Sequence, residues 1–168
     1  MRFCSACGQP VIRMVPAGDE RERFVCQSCA TIHYVNPKIV VGAVCLHEDR
    51  LLLCRRAIEP RIGFWTLPAG FMELGETAEE GAAREAMEEA NARIAIDGLL
   101  AIYSIKRIDQ VQIFYRARLL DPKVSPGIES QAVMLVGFDA IPWDELAFPS
   151  VEWALRRAIE LRQAGELG

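Results

Sequence analysis

Residues 70–92 read GFMELGETAEEGAAREAMEEANA, and no other stretch narrows the possible folds as much, because it packs a loop, a helix start and three repelling acids into one segment. Thr77 followed by Glu80 is a capping box, in which the Thr oxygen accepts from one orphan backbone N–H and the Glu reaches back to another. A helix is therefore predicted to begin near Ala78. At about 100° per residue, Ala82, Ala83, Ala86, Met87 and Ala90 fall on one narrow stripe, while Glu85, Glu88 and Glu89 share an arc beside it. Like charges at these spacings repel by roughly 0.2–0.5 kcal/mol per pair, so a compensating partner is expected. Hard divalent cations take oxygen ligands and commonly bridge carboxylates to substrate phosphates. The plain alternative is a solvated acidic face with Arg84 as its partner.

The preceding loop bears on that choice. Gly70 and Gly75 permit backbone conformations that other residues resist, and a Gly-bearing loop ahead of a helix lets main chain approach an anionic ligand. Gly70, five residues, Glu76, seven residues and then Arg84-Glu85-Ala86-Met87-Glu88-Glu89 together resemble the Nudix box, the signature of hydrolases acting on nucleoside diphosphates linked to another group. One position departs: Asn91 stands where the family has Gly. That place would be left-handed at the helix C-terminus, and Asn is the non-Gly residue that best tolerates it. Read this way the change is harmless, and Asn91→Gly is expected to leave turnover nearly unaltered.

Six cysteines divide into two classes. Cys4-x2-Cys7 and Cys26-x2-Cys29 match a four-thiolate zinc site in spacing, whereas Cys45 and Cys54 lie in apolar, strand-like runs and read as inert core residues. Residues 1–34 are thus a zinc-ribbon candidate, with short strands at 11–15 and 23–25 around a Pro16–Glu20 turn. A segment this small cannot bury enough apolar area to fold alone, so Zn²⁺ would supply the folding energy at a closed, structural site. His33, just past the last Cys, reads as a linker residue.

Asn36-Pro37 marks the joint, and residues 35–168 form the second expected domain. Strands are predicted at 39–46 and 51–55 as a hairpin, then at 94–97, 99–106, 111–119 and 132–138. Trp65 is expected beneath the box, residues 121–129 form a loop, and Ser150 is expected to cap a terminal helix carrying Val151, Ala154, Leu155, Ala158 and Ile159 at i, i+3, i+4 spacing. Strands, one helix, more strands and a last helix indicate an α/β protein with a mixed sheet between helices. The resemblance implies the same thing, a Nudix alpha/beta/alpha sandwich over about residues 36–160, preceded by the small ribbon.

A chain of 168 residues, 51% hydrophobic and 25% charged, has room for one sizeable core and an appendage. Its net charge of −4 argues against DNA, and no apolar run approaches the ~18 residues that span a bilayer. With the first Cys at the fourth residue there is no space for a leader, so a cytoplasmic, bacterial setting is expected.

The resemblance also implies roles. Glu85 and Glu89 would be the main ligands of Mg²⁺ or Mn²⁺, Glu88 would share a second ion, and the Ala69 carbonyl would add an oxygen. Arg84 would orient Glu76 and the helix. Glu129 aligns with a distal Glu that binds metal or acts as general base in relatives; its alternative is a surface carboxylate. Tyr34 sits where the NADH pyrophosphatase subgroup has a Tyr at its ligand, and inter-module packing is the alternative. The segments YVNPKIVVGAV, LLLCRRAIEP, GFWTLPAGFMELGE and DELAFPS look like the FAD/ADP-ribose diphosphatase group, while the Ser-Gln-Pro-Trp array of NADH pyrophosphatases is replaced by Ala101-Ile102-Tyr103-Ser104. The expectation is hydrolysis of FAD or ADP-ribose, releasing AMP, by a homodimer. The alternatives are an NADH or NAD-cap pyrophosphatase, and a non-catalytic nucleotide sensor or ribbon-type binding protein.

Overall fold

The computed structural model describes residues 1–167, in two compact units of which the first is Met1–Pro37 and the second begins at Lys38. The first unit is an antiparallel sheet of β1 (Val11–Met14), β2 (Arg23–Cys26) and β3 (Ile32–His33), in that order. Of its side chains only Cys4, Pro16, Cys26 and His33 are buried. Among the described residues there is thus little apolar core to hold the strands together, which fits a unit whose fold a metal would support. His33 corrects the linker expectation: it pairs with Phe24 across the β2–β3 ladder, and its Nε2 lies 3.3 Å from the Cys4 sulfur.

The second unit is a seven-stranded mixed sheet built from β4 (Lys38–His47), β5 (Arg50–Arg56), β6 (Trp65–Thr66), β7 (Ala69–Phe71), β8 (Ile94–Ile105), β9 (Gln110–Leu119) and β10 (Ser130–Gly137). The main path runs β10-β5-β4-β9-β8, with β4 and β9 parallel and the other pairs antiparallel. Side chains on successive strand residues point to opposite faces, and the burial follows that period. Val41, Ala43 and Cys45 of β4, Leu52 and Cys54 of β5, and Tyr115, Ala117 and Leu119 of β9 form one cluster with Ala82, Ala86 and Ala90 of helix α1 (Ala78–Ala90). Val44, Leu51, Leu53 and Phe114 form the other, with Val151, Ala154, Leu155 and Ala158 of helix α2 (Pro149–Gln163). Helix, sheet and helix thus make the expected sandwich.

Four details differ from the sequence reading. The direct β4–β5 ladder is only two pairs long, Leu46 with Leu51 and His47 with Arg50. Beyond it β5 pairs with β6 and β4 with β7, so residues 65–71 fill the space between the hairpin arms and bring Ala69–Gly70 into the sheet. Trp65 accordingly packs against the α2 cluster, not beneath the acidic helix. Strand β8 is continuous, because register shifts on either side of Gly98 absorb the Asp97–Gly98 interruption instead of ending the strand. At α2, Pro149 takes the first helical position, where its fixed φ and missing N–H cost nothing; Phe148 is therefore the N-cap, and Ser150 is buried inside the first turn. Among the described residues no helix is long and apolar enough to cross a membrane.

Candidate active site

Helix α1 begins as its capping box dictates. Glu80 N–H donates to Thr77 Oγ1 at 3.2 Å and Thr77 N–H to Glu80 Oε2 at 2.8 Å. It ends at Asn91, which has φ 48 and ψ 34, the left-handed conformation expected there. The face it buries is rotated from the one its alanines suggested, since Met87 is exposed while Gly81, Ala82, Glu85, Ala86, Glu89 and Ala90 are buried. Two of the three acids thus lie in the buried arc. Only Glu88 looks outward.

That burial has a specific cause. The backbone at Gly70 comes so close to the Glu85 carboxylate that any side chain there would collide with it. A side chain at 70 would push the Glu85 carboxylate out of its present place, so glycine here keeps that carboxylate against the backbone by close approach, not by an unusual φ. Glu89 is 5% exposed, and its Oε2 is one of two buried side-chain polar atoms without a partner among the described residues. Burial first, and then the neighbouring Glu85, push the Glu89 carboxyl up to about 8, against an opposing backbone hydrogen bond from Ala69. Burial also raises Glu85, against Arg84. Glu129 acts on both from the 121–129 loop, its charge raising each of them. Glu85 and Glu89 therefore lie buried near the Ala69–Gly70 backbone with the charge of Glu129 acting on both, and one Glu89 oxygen has no partner among the described residues. Hard carboxylate oxygens such as these are of the kind that can hold a divalent cation.

Arg84 ties the rest together. Its Nε and Nη2 meet Glu76 Oε2 and Oε1 at 3.0 and 2.9 Å in a two-pronged pair, while Nη1 reaches Glu85 Oε1 at 2.8 Å and Glu88 Oε2 at 2.9 Å. Nη2 also donates to the Phe71 carbonyl at 3.1 Å, fixing β7 to the helix. The bidentate fork makes Arg84 irreplaceable by lysine here. The guanidinium, aided by the Glu73 N–H, holds Glu76 down to about 2. A carboxyl whose folded pKa lies below its unfolded value of 4.5 contributes stability that is present above pH 4.5 and lost as pH falls toward 2. Thermal melts between pH 5 and 3 should therefore decline less steeply in Glu76→Gln than in the unmodified chain, and parallel declines would remove Glu76 from this ion pair.

In the ribbon unit, one ligand atom each from Cys4, Cys7, Cys26 and Cys29 lies within 4.8 Å of the others, and none of the four is in a disulfide. The Thr31 hydroxyl, 3.1 Å from the Cys29 sulfur, helps bring that thiol down to about 6. Four convergent thiols with no bridge between them fit a tetrahedral, closed zinc site. His33 beside Cys4 is a contact that sequence reasoning missed; its place opposite Phe24 in the sheet is what brings it there. Tyr34 is 63% exposed, with the Arg23 guanidinium 5.1 Å from its ring centroid. Cys45 and Cys54 are buried in the α1 cluster, and burial pushes both thiols up, as expected for inert core residues.

Two family descriptions cover nearly the whole chain: Nudix N-terminal, a zinc ribbon, matches residues 2–35, and the NUDIX domain matches residues 36–160. A crystal structure of a NUDIX hydrolase from Nitrosomonas europaea superposes with a TM-score of 0.95 at 51% identity, over 99% of this chain and 94% of that one. The NAD-capped RNA hydrolase NudC of Photobacterium profundum is 36% identical over 94 residues, 55% of this chain and 33% of the relative. An ADP-ribose pyrophosphatase of Methanocaldococcus jannaschii is 37% identical over 71 residues, 42% of each chain. This chain thus spans between a third and a half of the length of these two curated relatives. Because the domain match runs over the residues that build the sandwich and converge the glutamates, the chain belongs to the Nudix hydrolase family.

Proposed function

We propose that the chain hydrolyses the pyrophosphate bond of a nucleoside diphosphate derivative, FAD or ADP-ribose, with Mg²⁺ or Mn²⁺, and releases AMP. The observation that carries this reading is the buried Glu89 oxygen that has no partner among the described residues, with the charges of Glu85 and Glu129 acting on it. Glu85 and Glu89 would hold the metal, with the Ala69 carbonyl as a further oxygen and Glu88 sharing a second ion. When bound, such ions neutralise phosphate oxygens and make a water acidic enough to attack at neutral pH. Glu129 would serve as the proton acceptor for the attacking water, whose oxygen would bond to one phosphorus while the bridging P–O bond breaks toward the departing phosphate. Arg84, through Glu76, Glu85 and Phe71, keeps loop and helix aligned while this happens.

Tyr34 is proposed as the adenine-stacking residue, in a contact typically worth ~1–3 kcal/mol. Zn²⁺ on Cys4, Cys7, Cys26 and Cys29 holds the ribbon that carries it. The protein acts in the cytoplasm as a homodimer on small molecules, not on DNA. The FAD/ADP-ribose assignment rests on the four segments quoted above and on similarity to an ADP-ribose pyrophosphatase. NAD-capped RNA or NADH is the second reading, favoured by similarity to NudC.

A panel of FAD, ADP-ribose, NADH, NAD-capped RNA and nucleoside triphosphates, with Mg²⁺ and chromatographic detection of products, separates these readings. AMP with FMN or ribose 5-phosphate as the fastest products is the expected result. A kcat/KM for NADH or capped RNA above both FAD and ADP-ribose would overturn the substrate assignment.

A further inference from the structure

Asn91 was expected to do no more than tolerate a left-handed backbone. It does that, and its side chain does something else. Asn91 Nδ2 lies 3.1 Å from the Ser125 carbonyl, 3.1 Å from Ser125 Oγ and 3.4 Å from the Pro126 carbonyl. Two of these partners are carbonyl oxygens, which only accept, so the amide nitrogen is the group that must face them. The backbone continues the same seam. Ser125 N–H donates to the Ala90 carbonyl at 3.0 Å, and Gly127 N–H donates to the Glu89 carbonyl at 3.0 Å. These are the last carbonyls of α1, which the helix itself cannot satisfy. At Gly127 the loop lies so close to the Glu88 carbonyl that a side chain has no room.

The loop fastened in this way carries Glu129. On its far side Glu129 is held by its own carbonyl, which accepts from Ala57 N–H at 2.8 Å, and Ser130 then enters β10 opposite Arg56. Between Gly127 on the helix and Ala57 beside β5 there is little slack. The position of the Glu129 carboxylate, whose charge acts on both Glu85 and Glu89, therefore depends on how firmly 125–127 is seated on the helix end. Glycine at 91 would keep the left-handed turn and remove the only side-chain bonds in that seat among the described residues.

We propose that Asn91 is a positioning residue for Glu129: its amide clamps the 125–127 segment onto the C-terminus of α1 and so sets the distal carboxylate against the helix pair. The proposal rests on the metal-dependent hydrolase reading above, and it replaces the expectation that Asn91→Gly is silent. A displacement of about 1 Å at a catalytic group can cost on the order of a hundredfold in rate, so the effect should appear in kcat. None of the residues in this seam is a proposed substrate contact, so KM should move little.

The test is a double-mutant cycle between Asn91→Gly and Glu129→Gln, together with amide hydrogen exchange at Ser125 and Gly127. In the otherwise unmodified protein Asn91→Gly should lower kcat by about tenfold to a hundredfold, with faster exchange at both amides. In the Glu129→Gln background the same change should cost less than about threefold, because residues that act through one another are not additive. Equal losses in both backgrounds would make Asn91 merely structural and overturn the proposal. So would unchanged exchange at Ser125 and Gly127, or faster exchange with unchanged kcat. Exchange is read without turnover, and turnover of the unmodified protein is measured separately, so a failure of the hydrolase reading is distinguishable from a failure of the clamp.

Discussion

Glu89→Gln is expected to lower kcat by about three orders of magnitude or more, since it removes a metal ligand from a mechanism in which the protein's main task is to hold metal against phosphate. The same substitution should stabilise the ion-free fold at alkaline pH. Glu89 has its folded pKa raised above the unfolded 4.5 to about 8, so the native state binds more protons than the unfolded state in that window. Stability of the ion-free protein then falls as pH rises from 4.5 through 8, and a glutamine, carrying no charge, escapes that loss. A variant that is inactive yet melts higher at pH 8 than its parent is the expected pair of results. Near-normal turnover would take Glu89 out of the metal site, and a lower melting temperature would contradict the repulsion. EDTA should abolish turnover and Mg²⁺ or Mn²⁺ restore it; turnover that survives the chelator would contradict a metal-borne mechanism.

Stripping zinc from the first unit is expected to unfold it while the second stays folded. Structural zinc contributes free energy on the order of 10 kcal/mol in small cysteine-bound peptides, far more than four buried side chains can replace. Both apolar clusters of the second unit are built from residues at or beyond Val41, so none of their members is lost. Elemental analysis should find one zinc per chain after dialysis. Amide protection along Val11–Met14 and Arg23–Cys26 should vanish on chelation or in Cys26→Ser, while the strands β4 and β9 keep theirs. Protection of the ribbon strands after the zinc has gone would end the proposal that metal holds them.

Much of this protein is decided within a few residues of chain. Thr77 and Glu80 mark where the helix starts for a local reason, because both halves of the capping box lie in one turn. Asn91 ends it left-handed for an equally local reason. The alternation of Val41, Ala43 and Cys45 against Val44 needs only the pleat of an extended strand to sort them onto two faces. The paired CxxC segments name their own chemistry by spacing. What packing alone decided is the phase of α1. Alanines at 82, 83, 86 and 90 point to a stripe, but the helix buries Glu85 against Gly70 and Arg84, and Glu89 beside the Ala69 backbone, and leaves Met87 outside. Likewise nothing near Glu129 in sequence places it opposite a helix some forty residues earlier; the seat of 125–127 on the last carbonyls of α1 does so. Propensity and periodicity report what a residue does to its own backbone, whereas a site assembled from separate segments depends on contacts whose partners only the folded chain brings within reach.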